Sequence, residues 1–362
     1  MKICFCIDTM ESGGAERVAS ILCNEFVKLN HDVDLIMISE KENKCYYALN
    51  EKIKLVPLLC CLNKRWISFF DKVHLLSKHF KTNKYDVIIS FLPNVNLCVF
   101  LSHRHTNNTI HIVSERNNPL TDPKSKIRRF FKELSFKNAS GVVFQTEEAK
   151  QYFTNKLKCP TRIIKNPVSP VITDISINAK TNGQIISVGR LEKQKNFPLL
   201  ISAFSEFCKD YPAASLKIYG EGSLKSELEN LIVKHNLINK VQLCGNSNKW
   251  IEDNHDCSLF INTSLYEGMP NSLLEALVNG MPCIASDCPI GGSKELLSNN
   301  NGLLFNNNDK NDLLAKMNML YKNDNLIEKY KKANLSIRDY YSPKVIALQW
   351  IKFIEDLINE TK

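Results

Sequence analysis

The sequence lacks any apolar run of the ~18 residues that a membrane-spanning helix requires. The nearest candidate, residues 85–105, is interrupted by Asp86, Pro93, Asn94 and Asn96. Charged residues make up 23% and apolar residues 44% of the 362 residues, as in globular proteins, and this length suffices for two domains with separate cores. These figures exclude a largely disordered protein. Because Asp8 interrupts the first apolar residues, we expect no secretory signal peptide.

Paired metal-ligand spacings are also absent. The 13 cysteines are odd in number, include no Cys-x-x-Cys, and several lie in apolar runs, as Cys4 and Cys283 do. We interpret them as small buried side chains of a reducing compartment, which predicts a cytosolic protein. The 8 histidines show no ligand spacing, and the Asp32-Val33-Asp34 motif stands at the start of a predicted strand. We therefore predict no metal site and no cofactor.

Positive charge is concentrated in the first part of the chain. Residues 1–165 contain 26 Lys and Arg against 16 Asp and Glu, whereas the remainder contains 21 against 22. A cationic half predicts an anionic partner, which could be a membrane surface, a phosphorylated substrate or nucleic acid. An ordinary soluble surface is the alternative. A basic nucleic-acid-binding protein is kept as a second function class, although no recognised binding module is present.

Apolar, strand-like runs alternate with amphipathic stretches along the whole chain. Strands are predicted at 2–7, 33–38, 86–92, 111–115, 141–146, 183–190, 215–220, 241–245, 257–263 and 282–287. Strands that alternate with helices form parallel sheets with right-handed crossovers, so the sequence predicts an α/β fold with two doubly wound, Rossmann-like domains. A linker containing Pro160, Pro167 and Pro170 separates them, which gives domains at 1–165 and 166–343.

Two loops that follow predicted strands could bind a ligand. Gly13 and Gly14 precede a helix, where glycines allow positive φ and the helix N-terminus offers N–H groups. An ordinary βα turn is the alternative. The loop 189–196 carries Arg190, Lys193 and Lys195 just past the carboxyl end of a strand, where doubly wound folds bind ligands. A guanidinium and an ammonium suit a diphosphate, and a solvated basic loop is the alternative.

The segment 266–282 places two carboxylates eight positions apart. Glu267 lies in a loop with Gly268 and Pro270, and Glu275 lies about one turn inside the following predicted helix. Together with free N–H groups at the helix start, these carboxylates could bind sugar hydroxyls and phosphates in one pocket. Ser272 and Glu275 also match a capping box, which would make Glu275 purely structural. The spacing alone does not decide between these interpretations.

A basic helix is predicted over 122–138. Lys124, Arg128 and Lys132 recur every four residues and would form a cationic ridge on one face. The opposite, buried face would consist of Ile127, Phe130, Phe131 and Leu134. Such a ridge could contact a pyrophosphate or an anionic membrane surface. The alternative is a core-facing helix with a solvated basic edge.

Five segments together resemble one family. SGGAERV near the start, VGRLEKQKN at 188–196, IYGEG at 218–222, VQLCG at 241–245 and YEGMPNSLLEAL at 266–277 look like the retaining GT-B glycosyltransferases of family 4. Their order and spacing agree with that family over nearly the whole chain. Glu267 and Glu275 match its Glu-x7-Glu motif.

The resemblance implies two Rossmann-like domains that face each other across a cleft, with the helix at 344–362 packing back on the first. It also implies a role for each matching residue. Arg190 and Lys195 would hold the nucleotide diphosphate, and Glu275 would bind the ribose hydroxyls. The donor sugar would be held by Glu267 and by the backbone of Gly268, Met269, Pro270 and Asn271. The base would be bordered by Gly220, Gly222 and Leu243, and the reacting groups would be covered by Gly13 and Gly14.

This chain departs from the family at one point. Many relatives carry a histidine in the loop after the strand equivalent to 111–115, where this sequence has Ser114 followed by Glu115, Arg116 and Asn117. We therefore expect no catalytic histidine, and these three residues become candidates for the acceptor side, together with the ridge Lys124, Arg128 and Lys132. The chemistry of such retaining enzymes is thought to need no dedicated base, because the leaving diphosphate can take the acceptor proton.

The expected function is therefore transfer of a hexose or N-acetylhexosamine from a nucleotide sugar, most simply a UDP-sugar. The expected acceptor is an oligosaccharide linked to polyprenyl pyrophosphate, in the synthesis of a bacterial surface polysaccharide such as O-antigen, capsule or lipopolysaccharide. The enzyme would need no metal or nucleic acid and would work in the cytoplasm, peripherally on the inner face of the cytoplasmic membrane. A GT-B nucleotide-sugar epimerase is the alternative enzyme.

Overall fold

The structure is a computed structural model that describes residues 1–39, 45–58, 65–103, 109–168, 171, 182–321 and 323–360, with the backbone alone at 65–68. The chain forms two compact units. Residues 1–167 with 341–362 make up the N-unit, and residues 168–340 make up the C-unit. The boundaries expected from the sequence, 1–165 with 344–362 and 166–343, lie within a few residues of these.

A parallel sheet with the strand order β3-β2-β1-β4-β5-β6-β7 forms the centre of the N-unit. Its strands are β1 (Lys2–Ile7), β2 (Asp32–Met37), β3 (Lys54–Pro57), β4 (Val87–Phe91), β5 (Ile110–Ser114), β6 (Gly141–Phe144) and β7 (Thr161–Ile163). The connecting helices are α1 (Gly14–Lys28), α2 (Arg65–Thr82), α3 (Pro93–His103), α4 (Lys126–Lys137) and α5 (Glu147–Phe153). The central strands are buried on both faces, which explains their continuous apolar composition.

The C-unit repeats this architecture with a six-stranded parallel sheet in the order β10-β9-β8-β11-β12-β13. Its strands are β8 (Gln184–Val188), β9 (Ser215–Tyr219), β10 (Val241–Gly245), β11 (Leu259–Asn262), β12 (Cys283–Asp287) and β13 (Leu303–Asn306). Its helices are α6 (Phe197–Asp210), α7 (Lys225–Lys234), α8 (Asn271–Val278), α9 (Gly292–Leu296), α10 (Lys310–Tyr321) and α11 (Asp324–Ser336). Both units are thus doubly wound α/β domains, as the alternation of strands and helices predicted.

The last helix, α12 (Pro343–Glu360), belongs to the N-unit although it follows the C-unit in sequence. It buries Trp350, Phe353 and Ile354 in the N-unit core, and the Trp350 ring lies 5.9 Å from that of Phe91. This apolar face accounts for the return of the chain, because about 25 cal/mol are gained for each Å² of apolar surface removed from water.

All ten strands predicted from the sequence are present, but three strands were missed: β3, β7 and β13. Each of these lies at the edge of its sheet and pairs with a single neighbour. An edge strand is less enclosed by helices than a central one, so most of their residues are only partly buried. Their sequences consequently lack the long apolar run that identified the central strands.

The strand order reverses at the first strand of each sheet. β1 lies between β2 and β4, and β8 lies between β9 and β11. In doubly wound folds ligands bind outside the carboxyl ends of the strands at such a reversal, because the connections leave in opposite directions there. The loops that follow β1, β4 and β5 in the N-unit, and β8, β9 and β11 in the C-unit, are therefore the places where a site can form.

Candidate functional site

In the C-unit, the loop after β8 packs directly against the loop after β9. A Cβ atom at Gly220 would lie 2.0 Å from the carbonyl oxygen of Gly189, and one at Gly222 would lie 2.5 Å from that of Leu191. Gly220 also has a φ of +137°, which L side chains rarely adopt. The two glycines thus allow the loop that carries Arg190 to lie at the end of β9. Leu243 is half-buried on the neighbouring strand β10, where it pairs with Ile218 of β9.

Lys195 and Glu267, 72 positions apart, form an ion pair at this end of the sheet. The Lys195 Nζ lies 2.5 Å from the Glu267 Oε1, and the two side chains are 15% and 11% exposed. The same carboxylate oxygen accepts a hydrogen bond from the Ser264 hydroxyl at 2.8 Å. The Thr263 hydroxyl donates to the Lys195 carbonyl oxygen, also at 2.8 Å. The ammonium and the carboxylate are therefore held in fixed positions.

Thr263 and Ser264 were not among the residues predicted for the site. A signal was present, since Thr263 ends the predicted strand 257–263 and Ser264 directly follows it. Two further bonds join the same loops: the Leu265 N–H donates to the Gln194 carbonyl oxygen, and the Gln194 amide donates to that of Tyr266. The loops after β8 and β11 therefore form one rigid assembly around Lys195.

Arg190 lies in the same loop as Lys195, but its side chain is exposed. The loop is fixed at its outer side by Glu192, whose carboxylate accepts hydrogen bonds from the backbone N–H and the hydroxyl of Ser223 at 3.1 and 3.0 Å. These two bonds hold the pKa of Glu192 below its usual value. A guanidinium on such a loop can turn toward an anion while its backbone stays in place.

Helix α8 places Glu275, eight positions after Glu267, in the buried interior of the C-unit. The residue at its N-cap is Pro270, and no side chain caps the helix. Ser272 lies inside the helix, and its hydroxyl donates to the Val188 carbonyl oxygen at 3.2 Å. The capping box that would have made Glu275 purely structural is therefore wrong, because its first residue is not at the N-cap.

The loop before α8 is supported by a glycine of another element. A Cβ at Gly292, the first residue of α9, would lie 1.9 Å from the Gly268 carbonyl oxygen. The close approach of the two backbones fixes the path of Gly268, Met269 and Pro270 toward Asn271, where α8 begins. The start of α8 carries the partial positive charge of its helix dipole, which favours a negatively charged ligand there.

In the N-unit, Glu115 and Lys132 form a second ion pair at the end of β5. The Lys132 Nζ lies 2.8 Å from the Glu115 Oε2, and the two side chains are 1% and 3% exposed. The other oxygen of Glu115 accepts hydrogen bonds from the backbone N–H groups of Arg116 and Asn117. Burial raises the pKa of Glu115, although the Lys132 ammonium acts in the opposite direction. The two residues, predicted separately for the acceptor side, thus contact each other.

Arg116 is the other charged group at the end of β5. Its guanidinium lies 3.7 Å from the centre of the Phe91 ring, and one nitrogen donates to the Asn166 side chain, which also accepts from Gln145. Among the described residues, its Nε and Nη2 atoms are buried without a hydrogen-bond partner. Burial lowers its pKa to about 9, so the group remains cationic at neutral pH. Asn166 was missed by the sequence analysis, and no pattern there singled it out.

The predicted cationic ridge of Lys124, Arg128 and Lys132 does not exist. Lys124 precedes α4, which begins at Lys126, and Lys132 points into the protein toward Glu115. Three of the four apolar side chains that were expected inside, Ile127, Phe130 and Phe131, are exposed instead, and Leu134 is half-buried. The buried carboxylate accounts for this reversal, because a buried charge requires a partner and Lys132 is the one that reaches it.

The Gly13–Gly14 turn differs from the expectation in its geometry. Gly13 is extended, with a φ of −162°, and Gly14 is the first residue of α1. A Cβ at Gly13 would lie 2.1 Å from a carboxylate oxygen of Glu16, and the Tyr47 hydroxyl donates to the Gly13 carbonyl oxygen. Positive φ is therefore not the reason for a glycine here. Its missing side chain leaves space for the carboxylate at the helix N-terminus.

The Asp32-Val33-Asp34 motif serves the fold. Asp34 is buried, and its carboxylate accepts a hydrogen bond from the Tyr85 hydroxyl at 2.6 Å. Within the described ranges, no group of three or more His, Cys, Asp or Glu side chains could hold a metal ion. The same ranges contain no helix that is long and apolar enough to cross a membrane.

Comparison with known families gives two matches that divide the chain in the same way as the fold. Residues 12–171 match the model of the family described as Glycosyltransferase Family 4, and residues 171–336 match that of Glycosyl transferases group 1. The two matches meet at residue 171, close to the division between the N-unit and the C-unit.

Two curated bacterial relatives are similar over nearly their whole length. One, from Campylobacter jejuni, is a GalNAc-alpha-(1->4)-GalNAc-alpha-(1->3)-diNAcBac-PP-undecaprenol alpha-1,4-N-acetyl-D-galactosaminyltransferase; it is 28% identical, with 99% of each chain covered. The other is the amylovoran biosynthesis glycosyltransferase AmsD of Erwinia amylovora, which is 24% identical, again with 99% of each chain covered.

Solved structures show the same fold. A sucrose-phosphate synthase from Thermosynechococcus elongatus superposes with a TM-score of 0.85 at 15% identity, covering 99% of both chains. HepE from Anabaena, in complex with UDP, superposes with a TM-score of 0.78 or more at 17% identity, covering 98% of this chain and 100% of its own.

Proposed function

The chain belongs to the GT-B glycosyltransferases of family 4 and group 1, and from this we propose that it is a retaining, metal-independent enzyme that uses a UDP-sugar. The transferred sugar is a hexose or an N-acetylhexosamine. The acceptor is an oligosaccharide on polyprenyl pyrophosphate, in the synthesis of a bacterial surface polysaccharide. The protein acts in the cytoplasm, at the inner face of the cytoplasmic membrane.

The observation that carries the donor assignment is the placement of Lys195 and Glu267 in contact, with Arg190 on the same loop. We assign Arg190 and Lys195 to the diphosphate, since a guanidinium and an ammonium neutralise its charge. Glu267 and the backbone of the loop before α8 bind the hydroxyls of the donor sugar. Glu275, on α8, binds the ribose.

In the proposed reaction, one bond breaks and one bond forms at the anomeric carbon of the donor sugar. The bond from that carbon to the diphosphate oxygen breaks, and a bond to the acceptor hydroxyl oxygen forms on the same face. The acceptor proton passes to the departing diphosphate oxygen, so no side chain serves as a base. Arg190 and Lys195 stabilise the negative charge that develops on the leaving group, which is the principal contribution of the protein to the rate.

The N-unit provides the acceptor side in this proposal. Arg116 and Asn117 lie at the carboxyl end of β5, and the fixed Glu115–Lys132 pair shapes the loop they share. A lipid-linked acceptor is supported by the Campylobacter relative, whose name specifies a glycan on undecaprenyl diphosphate. The net positive charge of residues 1–165 would attract a substrate that contains a pyrophosphate.

Two measurements test the proposal in sequence. A thermal-shift series with UDP, GDP, ADP and CMP identifies the nucleotide, because a ligand that binds only the folded state raises its stability. We expect UDP to give the largest shift. Radiolabelled UDP-sugars are then incubated with a short-chain lipid pyrophosphate glycan, and the anomeric configuration of the product is determined by NMR. Inversion at the anomeric carbon, or interconversion of the free donor without transfer, contradicts the proposal.

A further inference from the structure

Helix α4 exposes an apolar face to solvent. Ile127 and Phe130 are 70% and 64% exposed, and Phe131 is exposed as well. Positions i, i+3 and i+4 lie on one side of a helix, and the rings of Phe130 and Phe131 are 5.7 Å apart. We call these three residues the α4 face. An exposed group of large apolar side chains marks a surface that contacts something other than water.

The opposite side of α4 is anchored, so the α4 face is built into the fold. Lys132 reaches inward to Glu115 and also donates to the Asp122 carbonyl oxygen. Phe136, one turn later, stacks on Phe153 with ring centres 5.2 Å apart. Turning the helix to bury the α4 face would take Lys132 away from Glu115. Leaving a buried carboxylate without its partner is strongly destabilising, so the helix keeps this orientation.

The exposed charges beside the α4 face are positive. Lys124, Lys126 and Arg128 are exposed, and the one carboxylate of α4, Glu133, is paired with Lys156 at 2.9 Å. The Arg129 guanidinium donates to the carbonyl oxygens of Pro123 and Lys124 at 2.9 and 3.0 Å, which holds the preceding segment against the helix. The result is an apolar surface bordered by cations.

We infer that the α4 face binds the surface of an anionic lipid bilayer. Its apolar side chains lie at the boundary between headgroups and acyl chains, and Lys124, Lys126 and Arg128 contact the lipid phosphates. Anionic lipid is the occupant that matches both the apolar and the cationic parts of this surface. The inference rests on the proposed function in one respect, since a polyprenyl-linked acceptor brings the enzyme to a membrane.

The test measures sedimentation of the full-length protein with vesicles. One set consists of phosphatidylcholine alone and the other of an equimolar mixture with phosphatidylglycerol. We expect binding to the mixed vesicles, weakening with salt. The variants Ile127→Ser and Phe130→Ser should each lower the affinity about tenfold or more, because each removes a large side chain from the lipid. The matched control Val233→Ser/Ile238→Ser removes exposed apolar side chains of the C-unit and should bind as the wild type does.

Three results would overturn the inference. The first is wild-type protein that does not bind mixed vesicles. The second is Ile127→Ser and Phe130→Ser variants that bind as the wild type does. The third is a Val233→Ser/Ile238→Ser control that loses as much affinity as these variants. Light scattering after gel filtration tests whether a second copy of the chain covers the α4 face instead. A wild-type dimer that Phe130→Ser converts to a monomer also overturns the inference. The proposed function is assayed separately, with a detergent-dispersed short-chain acceptor. Wild-type protein that transfers sugar but does not bind mixed vesicles locates the failure in this inference. Wild-type protein that binds these vesicles but transfers no sugar locates it in the proposed function.

Discussion

The two units each contain a lysine–glutamate pair at the carboxyl end of the sheet, and the pairs differ in one respect. In the N-unit, Lys132 and Glu115 are almost completely enclosed, and the ammonium also binds a backbone carbonyl oxygen. In the C-unit, Lys195 and Glu267 keep 15% and 11% of their side-chain surface in contact with solvent. Both pairs are thus in close contact, but solvent reaches only the pair in the C-unit.

This difference teaches how the same pair can serve the fold or the chemistry. A fully enclosed pair cannot exchange its partner for a ligand without opening the protein, and removing one member leaves a charge stranded. Solvent still reaches the Lys195–Glu267 pair, so a phosphate can approach the Lys195 ammonium without opening the protein. We expect stability to depend on the first pair and activity on the second.

The largest effect is expected from breaking the enclosed pair. Lys132→Met should lower the free energy of unfolding by about 3–5 kcal/mol, since the Glu115 carboxylate remains buried without a partner. Urea denaturation followed by fluorescence measures this. The matched control is Lys332→Met on α11, which breaks an exposed pair with Glu328 and should cost less than about 1 kcal/mol. Equal losses in the two variants would refute the distinction.

Substitutions in the loop that carries Lys195 should lower the rate of sugar transfer rather than the stability. Arg190→Ala and Lys195→Ala should each lose about 2–4 kcal/mol of transition-state stabilisation in kcat/KM, because the charge on the leaving diphosphate develops beside them. Lys193→Ala, an exposed cation of the same loop, serves as the control and should stay near wild type. The assignment of the diphosphate site is wrong if Arg190→Ala and Lys195→Ala behave like this control.

Glu275 and Glu267 of the C-unit should affect UDP binding and sugar transfer differently. Glu275→Gln should weaken the binding of UDP by about tenfold, as expected for loss of a hydrogen bond to a charged group. Glu267→Gln should leave UDP binding unchanged and slow sugar transfer, because we assign Glu267 to the sugar rather than to the nucleotide. Isothermal titration calorimetry with UDP separates the two. Unchanged UDP affinity in Glu275→Gln would remove Glu275 from the ribose site.

The smallest effect is expected from removing metal. Saturating EDTA should leave turnover unchanged, because we assign two protein cations, Arg190 and Lys195, to the diphosphate that a divalent ion would otherwise neutralise. The carboxylate of Asp34 is already bonded to the Tyr85 hydroxyl. Activity that disappears with EDTA and returns with magnesium or manganese would show that a metal takes part in the reaction.

Part of the candidate site could be predicted because neighbours in sequence are neighbours in space there. Arg190 and Lys195 follow a strand, so their position at the carboxyl edge is a consequence of the α/β alternation. The contact between Lys195 and Glu267 could not be predicted in this way, since it depends on β8 and β11 being adjacent in the sheet. Ser272 shows the same limit, because its capping-box spacing is present but the helix begins two residues earlier than that motif requires.

The central strands, the α/β class and the division into two domains could be predicted from the amino-acid sequence, because each is encoded by local periodicity and apolar composition. The orientation of α4 depends on contacts between residues that are distant in sequence. Its pattern predicted cations outside and phenylalanines inside, and the fold has Lys132 inside and Ile127, Phe130 and Phe131 outside. The physical reason is that Glu115, 17 positions away, is buried and requires a cation. The free energy of pairing that charge outweighs the burial of three apolar side chains, and helical periodicity alone carries no information about it.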